Sequence, residues 1–416
     1  MKYSIILLVV ICLPGRASAQ NQIKILFDCT KAETAGNADW TIDADQHNMD
    51  WKPNGCTGCG GSESNPGRFP TPAQSGINAN TAETYWNGSL SSWGIDCVKR
   101  GYSVESLPYT GQITFGSTSN PQDLSNYQVF VVDEPNILFT AAEKTALINF
   151  VYSGGSLFMV SDHDQSDRNN DGYDSPAIWN DFIASNGLYN NKTGFSFDLA
   201  NFSQTSTNIP NLPTDSIING PMGAVTEVKW TSGTSMTLHA TQNPTVRGVV
   251  FKTGSSTSGS TGVLCAYARL GCGKIAAISD SSPTDDGTGD PNDQLYNGYT
   301  LDANGNHRKL LMNMTIWLAA GPCNNATGVD EAGALGSLAV FPNPAADAFW
   351  LRFDGGDTPP EIRIYDESGV FMAVKYERET GTDLVKIPTS GWPNGIYYVV
   401  LTAAGKVVGK AVSLQR

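Results

Sequence analysis

The chain has 416 residues, 40% of them hydrophobic, and a formal net charge of −14. That charge excludes nucleic acid as a partner, because holding a phosphate backbone needs clustered Lys and Arg, and it fits a soluble extracellular protein that uses cations. The apolar fraction suffices for a packed core, and the length predicts about two domains.

The N-terminus reads as a secretory signal peptide over residues 1–19. Lys2 supplies the positive start, Ile5 to Leu13 form a short apolar run, and Ala17-Ser18-Ala19 is a small-residue cleavage site. The run is shorter than the ~20 residues a bilayer needs, and bulky Ile11 before Cys12 argues against lipidation. A mature protein beginning near Gln20, with no transmembrane segment, is expected. Removing Cys12 leaves Cys29, Cys56, Cys59, Cys97, Cys265, Cys272 and Cys323, an odd set in an oxidising compartment. Cys265 and Cys272 flank a turn at Arg269-Leu270-Gly271, which predicts a bridge between them. The Cys56-Thr57-Gly58-Cys59 pair has no second pair to complete a zinc site.

From residue 20 to 321, strand runs alternate with helical patterns, which predicts an α/β domain with an open, mostly parallel sheet flanked by helices. The core strands are Ile23–Phe27, Gln128–Val132, Ser156–Val160 and Lys274–Ser279, each a continuous apolar run suited to burial on both faces. Thr140 and Glu143 form a capping box for a helix that stops at Gly154-Gly155. Ser175 with Pro176 opens a second helix ending at Gly187, and His307 to Ala319 makes the last. Asp43 to Ala79 is a long Gly-, Pro- and Cys-rich loop, and residues 190–260 read as a β-rich insertion.

Residues 322–336 are small, polar and without periodicity, so they form a linker. Beyond it come only strands and turns: Leu338–Phe341, Phe349–Phe353, Glu361–Tyr365, Val370–Val374, Asp383–Ile387, Ile396–Leu401 and Lys406–Leu414, suited to a small all-β Ig-like sandwich. Four motifs recur in order there. They are Val340-Phe341-Pro342-Asn343-Pro344-Ala345, Ile362-Arg363-Ile364-Tyr365-Asp366-Glu367-Ser368-Gly369, Pro393-Asn394-Gly395-Ile396-Tyr397-Tyr398 and Gly405-Lys406-Val407-Val408-Gly409-Lys410. Residues 337–416 thereby resemble the type IX secretion C-terminal sorting domain. The resemblance implies engagement of the type IX machinery, passage through the outer membrane, and cleavage of the tag. The protein is then released or attached to surface lipopolysaccharide.

In open parallel sheets, ligands bind beyond the carboxyl ends of the strands. All four core strands run into acids there: Asp28 after the first, Asp133 and Glu134 after the second, Asp162 and Asp164 around His163 after the third, and Asp280 before Ser281 and Ser282 after the fourth. Singly, such acids are helix caps; together with a histidine they predict a site, because several carboxylates share a cleft only with a cation or with some of them protonated. Asp167, Asn169 and Asp171 stand at alternate positions before Gly172, the first half of an EF-hand-like loop, with the Tyr173 carbonyl next. Ile178 occupies the position of the usual final Glu, so Asp174 or Asp181 would complete the shell around Ca2+ or another hard divalent cation. The alternative is a solvated, Asx-rich turn. Asp285 to Asp290 is a second acidic, Gly-rich loop, either closing over the same site or forming soluble surface.

Leu124–Glu134, Thr140–Val151, Gly154-Gly155-Ser156-Leu157-Phe158, Gly273–Ile278 and the closing helix resemble the class I glutamine amidotransferase-like fold, nearest its trehalose-utilisation-type members. That group places a nucleophilic Cys after the strand matching Leu157–Ser161, where this chain has Asp162-His163-Asp164. Glutamine hydrolysis is therefore not expected. The expectation is a secreted hydrolase acting on carbohydrate or another extracellular polymer. His163 would be its general base or metal ligand, oriented by Asp162 or Asp280, with Glu134 and Asp28 in the same cleft. Ser281 is a candidate nucleophile without the Gly-x-Ser-x-Gly elbow; His307 and His47 default to structural or solvated roles. The alternative is a non-catalytic, calcium-stabilised glycan-binding or adhesive module, with Trp51 and Tyr299 stacking on sugars.

Overall fold

The computed structural model describes residues 22–44, 73–289, 294–321, 338–353, 361–366, 371–372, 376–378, 384–403 and 406–416. The signal peptide, the body of the Asp43–Ala79 loop with His47, Trp51, Cys56 and Cys59, the linker and Cys323 lie outside these. The chain divides into two compact units, Met1–Ala320 and Gly321–Arg416.

The first unit contains a mixed nine-stranded sheet. Its elements are β1 (Lys24–Asp28), α1 (Ser91–Lys99), β2 (Ser103–Leu107), β3 (Val129–Asp133), α2 (Ala141–Tyr152), β4 (Ser156–Val160), α3 (Ser175–Ala184), β5 (Phe195–Phe197), β6 (Phe202–Ser206), β7 (Asn219–Gly220), β8 (Gly223–Ala224), β9 (Val228–Gly233), β10 (Met236–Leu238), β11 (Arg247–Phe251), β12 (Val263–Leu270), β13 (Gly273–Ile278), α4 (Gly298–Leu301) and α5 (Asn306–Ala319). The sheet order is β2-β1-β3-β4-β13-β12-β10-β5, with β11 on β12. The segment from β2 to β13 is parallel; β13 with β12, β12 with β10 and β11, and β10 with β5 are antiparallel. The sheet is thus mixed rather than mostly parallel, because the 190–260 insertion contributes its own strands to one side.

The core strands are apolar throughout because each face is covered. Phe27, Val131, Phe158 and Ile278 pack with Trp93 of α1 and Leu310, Leu311 and Met314 of α5. Leu26, Phe130, Met159 and Ala277 pack on the other face with Leu147 and Ile148 of α2 and Trp179 and Phe182 of α3. Such two-sided burial is what a parallel strand requires. The capping box opens α2: Glu143 N–H donates to Thr140 Oγ1 at 3.3 Å, and Thr140 N–H donates to Glu143 Oε2 at 2.8 Å. After α2 the chain turns at Gly155, where any Cβ would sit 2.1 Å from the Phe150 ring.

The Cys265–Cys272 bridge does not form, and Cys265 is a buried free thiol. Cys265 lies opposite Ile278 in mid-hairpin, whereas Leu270 opposite Gly273 already marks its end. Five residues of strand, roughly 17 Å, separate Cys265 from the turn, beyond disulfide reach.

The second unit is all-β: β14 (Leu338–Phe341), β15 (Ala348–Phe353), β16 (Glu361–Tyr365), β17 (Phe371–Met372), β18 (Glu377–Arg378), β19 (Leu384–Pro388), β20 (Gly395–Ala403) and β21 (Lys406–Leu414). Two antiparallel sheets, β14-β15-β19-β18 and β17-β16-β20-β21, share a core that includes Phe349, Leu351, Ile387, Val399, Leu401 and Val412. Asn343 of the Pro-Asn-Pro motif accepts from Ser413 N–H at 2.9 Å and donates to the Ala411 carbonyl at 3.2 Å, pinning that segment to β21.

Candidate functional site at the strand tips

The loops after β1, β3, β4 and β13 meet around one guanidinium. Arg168, in the loop after β4, donates from Nε to Glu134 Oε1 at 2.6 Å and from Nη2 to Glu134 Oε2 at 3.3 Å. It also bonds Asn37 Oδ1, and its backbone N–H donates to Asn136 Oδ1 at 3.2 Å. Glu134 is fully buried and receives two further bonds at Oε2, from Trp40 Nε1 at 2.6 Å and the Ser281 hydroxyl at 3.0 Å. Its backbone is left-handed, with φ of 44°, a strained state that surrounding contacts must hold. Burial raises its pKa; Arg168 opposes the rise and the charge of Asp162 adds to it.

Asp162 and His163 form a pair on the same rim. His163 Nδ1 lies 2.5 Å from Asp162 Oδ2, and Arg168 Nη2 is 3.9 Å from that oxygen. The Asp162 side chain is 3% exposed and that of His163 25%, so a buried carboxylate orients a ring that reaches solvent. A carboxylate at Nδ1 selects the tautomer with its proton there and leaves Nε2 as the acceptor. Burial disfavours the imidazolium, but the Asp162 bond and the charges of Asp162 and Glu134 outweigh it, and the His163 pKa lies above its ordinary value.

Asp280 is buried close enough for the charge of Asp162 to act on it; burial first, then Asp162, pushes its pKa well above the carboxylate range. Its oxygens accept from the backbone N–H groups of Thr231 and Ser282, the latter at 2.8 Å. It therefore anchors β9 to the tip of β13. Asp133 is buried with both oxygens lacking a hydrogen-bond partner, and the neighbouring Thr284 hydroxyl is committed to the Ser281 carbonyl at 2.7 Å. Burial and the charges of Glu134, Asp162 and Asp285 raise its pKa, favouring the neutral acid.

Asp28 stands apart from this group. It accepts from the Thr30 backbone N–H and hydroxyl, both at 3.1 Å, within its own loop. Burial lifts its pKa to about 6 against the pull of Lys31. Strand alternation is the reason: Asp28 follows Leu26 on the α2/α3 face, whereas Asp133 follows Val131 on the α1/α5 face. Ser281 spends its hydroxyl on Glu134 and is 3% exposed, a positioning arrangement.

In the 167–174 loop the oxygens face the loop's own amides. Asp167 accepts from Asp171 and Gly172 N–H, both at 2.9 Å, and Asp171 Oδ1 from Tyr173 N–H at 3.0 Å. Asp174 Oδ1 accepts from Asp167 N–H at 2.5 Å. Asn169 donates to the Asn136 carbonyl and to Asp171 Oδ2, which leaves its buried Oδ1 without a partner. Among the described residues, no three His, Cys, Asp or Glu side chains are grouped to hold a metal.

Asp285 and Asp286 are buried rather than soluble surface. Asp285 accepts from Gly287 and Tyr296 N–H, both at 2.7 Å, and Asp286 from Ser92 N–H at 2.7 Å in the first turn of α1. Asp290 lies outside the described residues. His307 is structural: Lys229 N–H donates to its Nε2 at 2.8 Å, its Nδ1 meets the Gly298 carbonyl at 2.9 Å, and burial lowers its pKa. Tyr299 is 1% exposed and donates to Asp96 at 2.8 Å, so it offers no sugar platform.

Arg168, Trp40, Asn136 and Tyr296 were not singled out from the sequence. Arg168 had a usable signal, since a lone cation within an acidic run is what several buried carboxylates require. Trp40 lies in a stretch with no periodicity to mark it.

Residues 339–414 match the secretion system C-terminal sorting domain. No curated protein sequence matches the chain. Among solved structures it is similar to the mmIFT52 N-terminal domain (13% identity, 58% of this chain and 96% of that one, TM-score 0.38). It is also similar to cytoplasmic protein STM3548 from Salmonella typhimurium (12%, 57% and 88%, TM-score 0.33). A third is Gan42B, a GH42 beta-galactosidase (12%, 69% and 33%, TM-score 0.26). Likenesses this weak carry no argument about chemistry, and none of the three lends support to the amidotransferase-like resemblance. No helix among the described residues is long and apolar enough to cross a membrane. The chain ends in a secretion-system sorting domain, which marks it for the type IX machinery and for export to the cell surface or beyond.

Proposed function

We propose that the first unit is an exported hydrolase acting on carbohydrate or another extracellular polymer, with His163 as general base for an attacking water. The observation that carries this reading is the Asp162–His163 pair: a buried carboxylate 2.5 Å from Nδ1 of a ring that is 25% exposed. That arrangement leaves Nε2 free to take a proton at the surface. Arg168, held by Glu134, keeps positive charge beside Asp162. Glu134, Ser281 and Asp280 set the loops. The class I amidotransferase-like resemblance is retained for the fold alone, without thiolate chemistry.

A cation in the 167–174 loop is a second part of the proposal, supported by the partnerless Asn169 Oδ1 at the third loop position. After removal of the sorting domain, the first unit would be released or held on surface lipopolysaccharide. The test uses the exported chain with chromogenic glycoside, ester and polysaccharide substrates, beside Asp162→Asn and His163→Ala. Turnover that falls in both variants supports the reading. Turnover unchanged in both, or glycan binding without any turnover, overturns it in favour of a binding module.

A further inference from the structure

A cavity of about 520 Å³ opens beside α1 and α5 of the first unit, sharing no residue with the strand-tip site. Its lining includes Glu83 ahead of α1, Asp96 and Lys99 of α1 with Arg100 at its C-terminal end, Met222, and Arg308 and Met312 of α5. The volume falls within the ~300–1,000 Å³ of small-molecule sites.

Its charges are arranged rather than merely mixed. Asp96 accepts from Arg308 Nε at 2.6 Å, Arg308 Nη2 at 2.5 Å and the Tyr299 hydroxyl at 2.8 Å. Glu83 Oε1 accepts from Lys99 Nζ at 2.6 Å and Arg308 Nη2 at 3.3 Å. Glu83 stays ionised, since Lys99 and Arg308 lower its pKa despite burial. Both carboxylates are therefore committed to cations that they also hold in place. Lys99, Arg100 and Arg308 against Glu83 and Asp96 leave the lining net positive, on a chain whose formal charge is −14. Arg100 is exposed, and the half-buried Met222 supplies apolar surface, with Met312 buried among the lining residues.

We infer that this cavity is a binding site for a small organic carboxylate with an apolar body, its head on the Arg100 fork and the edge of Arg308 that Asp96 leaves open, and its body on Met222. Guanidinium forks match a planar carboxylate, held cations lose little freedom on binding, and thioether side chains adapt to an irregular apolar shape.

Hexanoate, hexanamide and inorganic phosphate serve as probes, titrated calorimetrically into the full chain and into Arg100→Glu and Met222→Glu. Both positions avoid the Asp96–Arg308 pair, and melting temperature reports whether each variant folds. The expected result is saturable hexanoate binding in the millimolar range, with hexanamide weaker by roughly ten- to a hundredfold, the worth of a charged hydrogen bond. A comparable loss of hexanoate affinity is expected in each variant at unchanged melting temperature. Absence of hexanoate saturation, equal binding of hexanamide, a preference for phosphate, or folded variants that bind hexanoate as the wild type does would each overturn the assignment.

Discussion

The Ser281 hydroxyl donates to Glu134 Oε2 across 3.0 Å, joining the tips of β13 and β3, strands separated in the sheet by β4. With Trp40 and Arg168 on the same carboxylate, Glu134 is the point at which four loops are tied together. Replacing it by Gln removes the carboxylate hydrogen-bonded to the buried Arg168 guanidinium and leaves only Asp162, 3.9 Å away, as its counter-charge. Chemical denaturation should show a loss of about 3–5 kcal/mol, and the double change Glu134→Gln/Arg168→Met should recover part of it. A Glu134→Gln protein as stable as the wild type would show that the pair is not an anchor.

The Asp162–His163 pair predicts a pH dependence. A raised imidazole pKa contributes stability that is present below the ordinary 6.5 and lost as pH rises through the folded value. His163→Gln should therefore be relatively less stable than wild type at pH 6 than at pH 8, as read by thermal unfolding across that window. If His163 is the general base, turnover should rise with pH around a midpoint above 6.5, and Asp162→Asn should move that midpoint down.

Asp285 acts with the same sign in a lower pH window. Burial raises its pKa from 3.8 to about 6, so the folded chain holds a proton that the unfolded chain releases, and stability falls as pH rises from 3.8 to 6. Asp285→Asn keeps one acceptor oxygen, for Gly287 N–H or Tyr296 N–H but not both, so it should lower stability overall and flatten that part of the stability–pH curve. An identical curve in the variant would reject the assignment.

At the start of α2, Thr140→Ala removes the acceptor for Glu143 N–H. A loss of about 0.5–2 kcal/mol is expected from urea unfolding, with Thr140→Ser close to wild type.

Calcium offers a fifth measurement. If the 167–174 loop takes a hard cation, added Ca2+ should raise the melting temperature and chelator should lower it. Asp171→Ala should abolish the difference. A melting temperature blind to Ca2+ would leave the loop as an Asx-rich turn.

What was legible in the sequence follows from burial on two faces. β1, β3, β4 and β13 are continuous apolar runs because both sides are covered. β2 was not foreseen, since Ser-Val-Glu-Ser-Leu is an edge strand with alternating exposure. α1 was missed because Ser91, Ser92 and Gly94 are weak helix formers, and its burial around Trp93 comes from tertiary packing. At the site, the acids were visible as a strand-tip pattern, and His163 beside Asp162 with them. The direction of each side chain was not: one step of strand alternation sends Asp28 to the face opposite Asp133. Arg168 was hidden by position, because a loop scanned for oxygen ligands at alternate places passes over the residue between them.

The strand-tip cluster draws on residues as distant as Trp40 and Ser281. No shorter stretch of chain contains it, so its chemistry comes into being only when the sheet closes. In the unfolded chain the His163 imidazole has its ordinary pKa, so its upward displacement belongs to the closed sheet alone and reports folding directly.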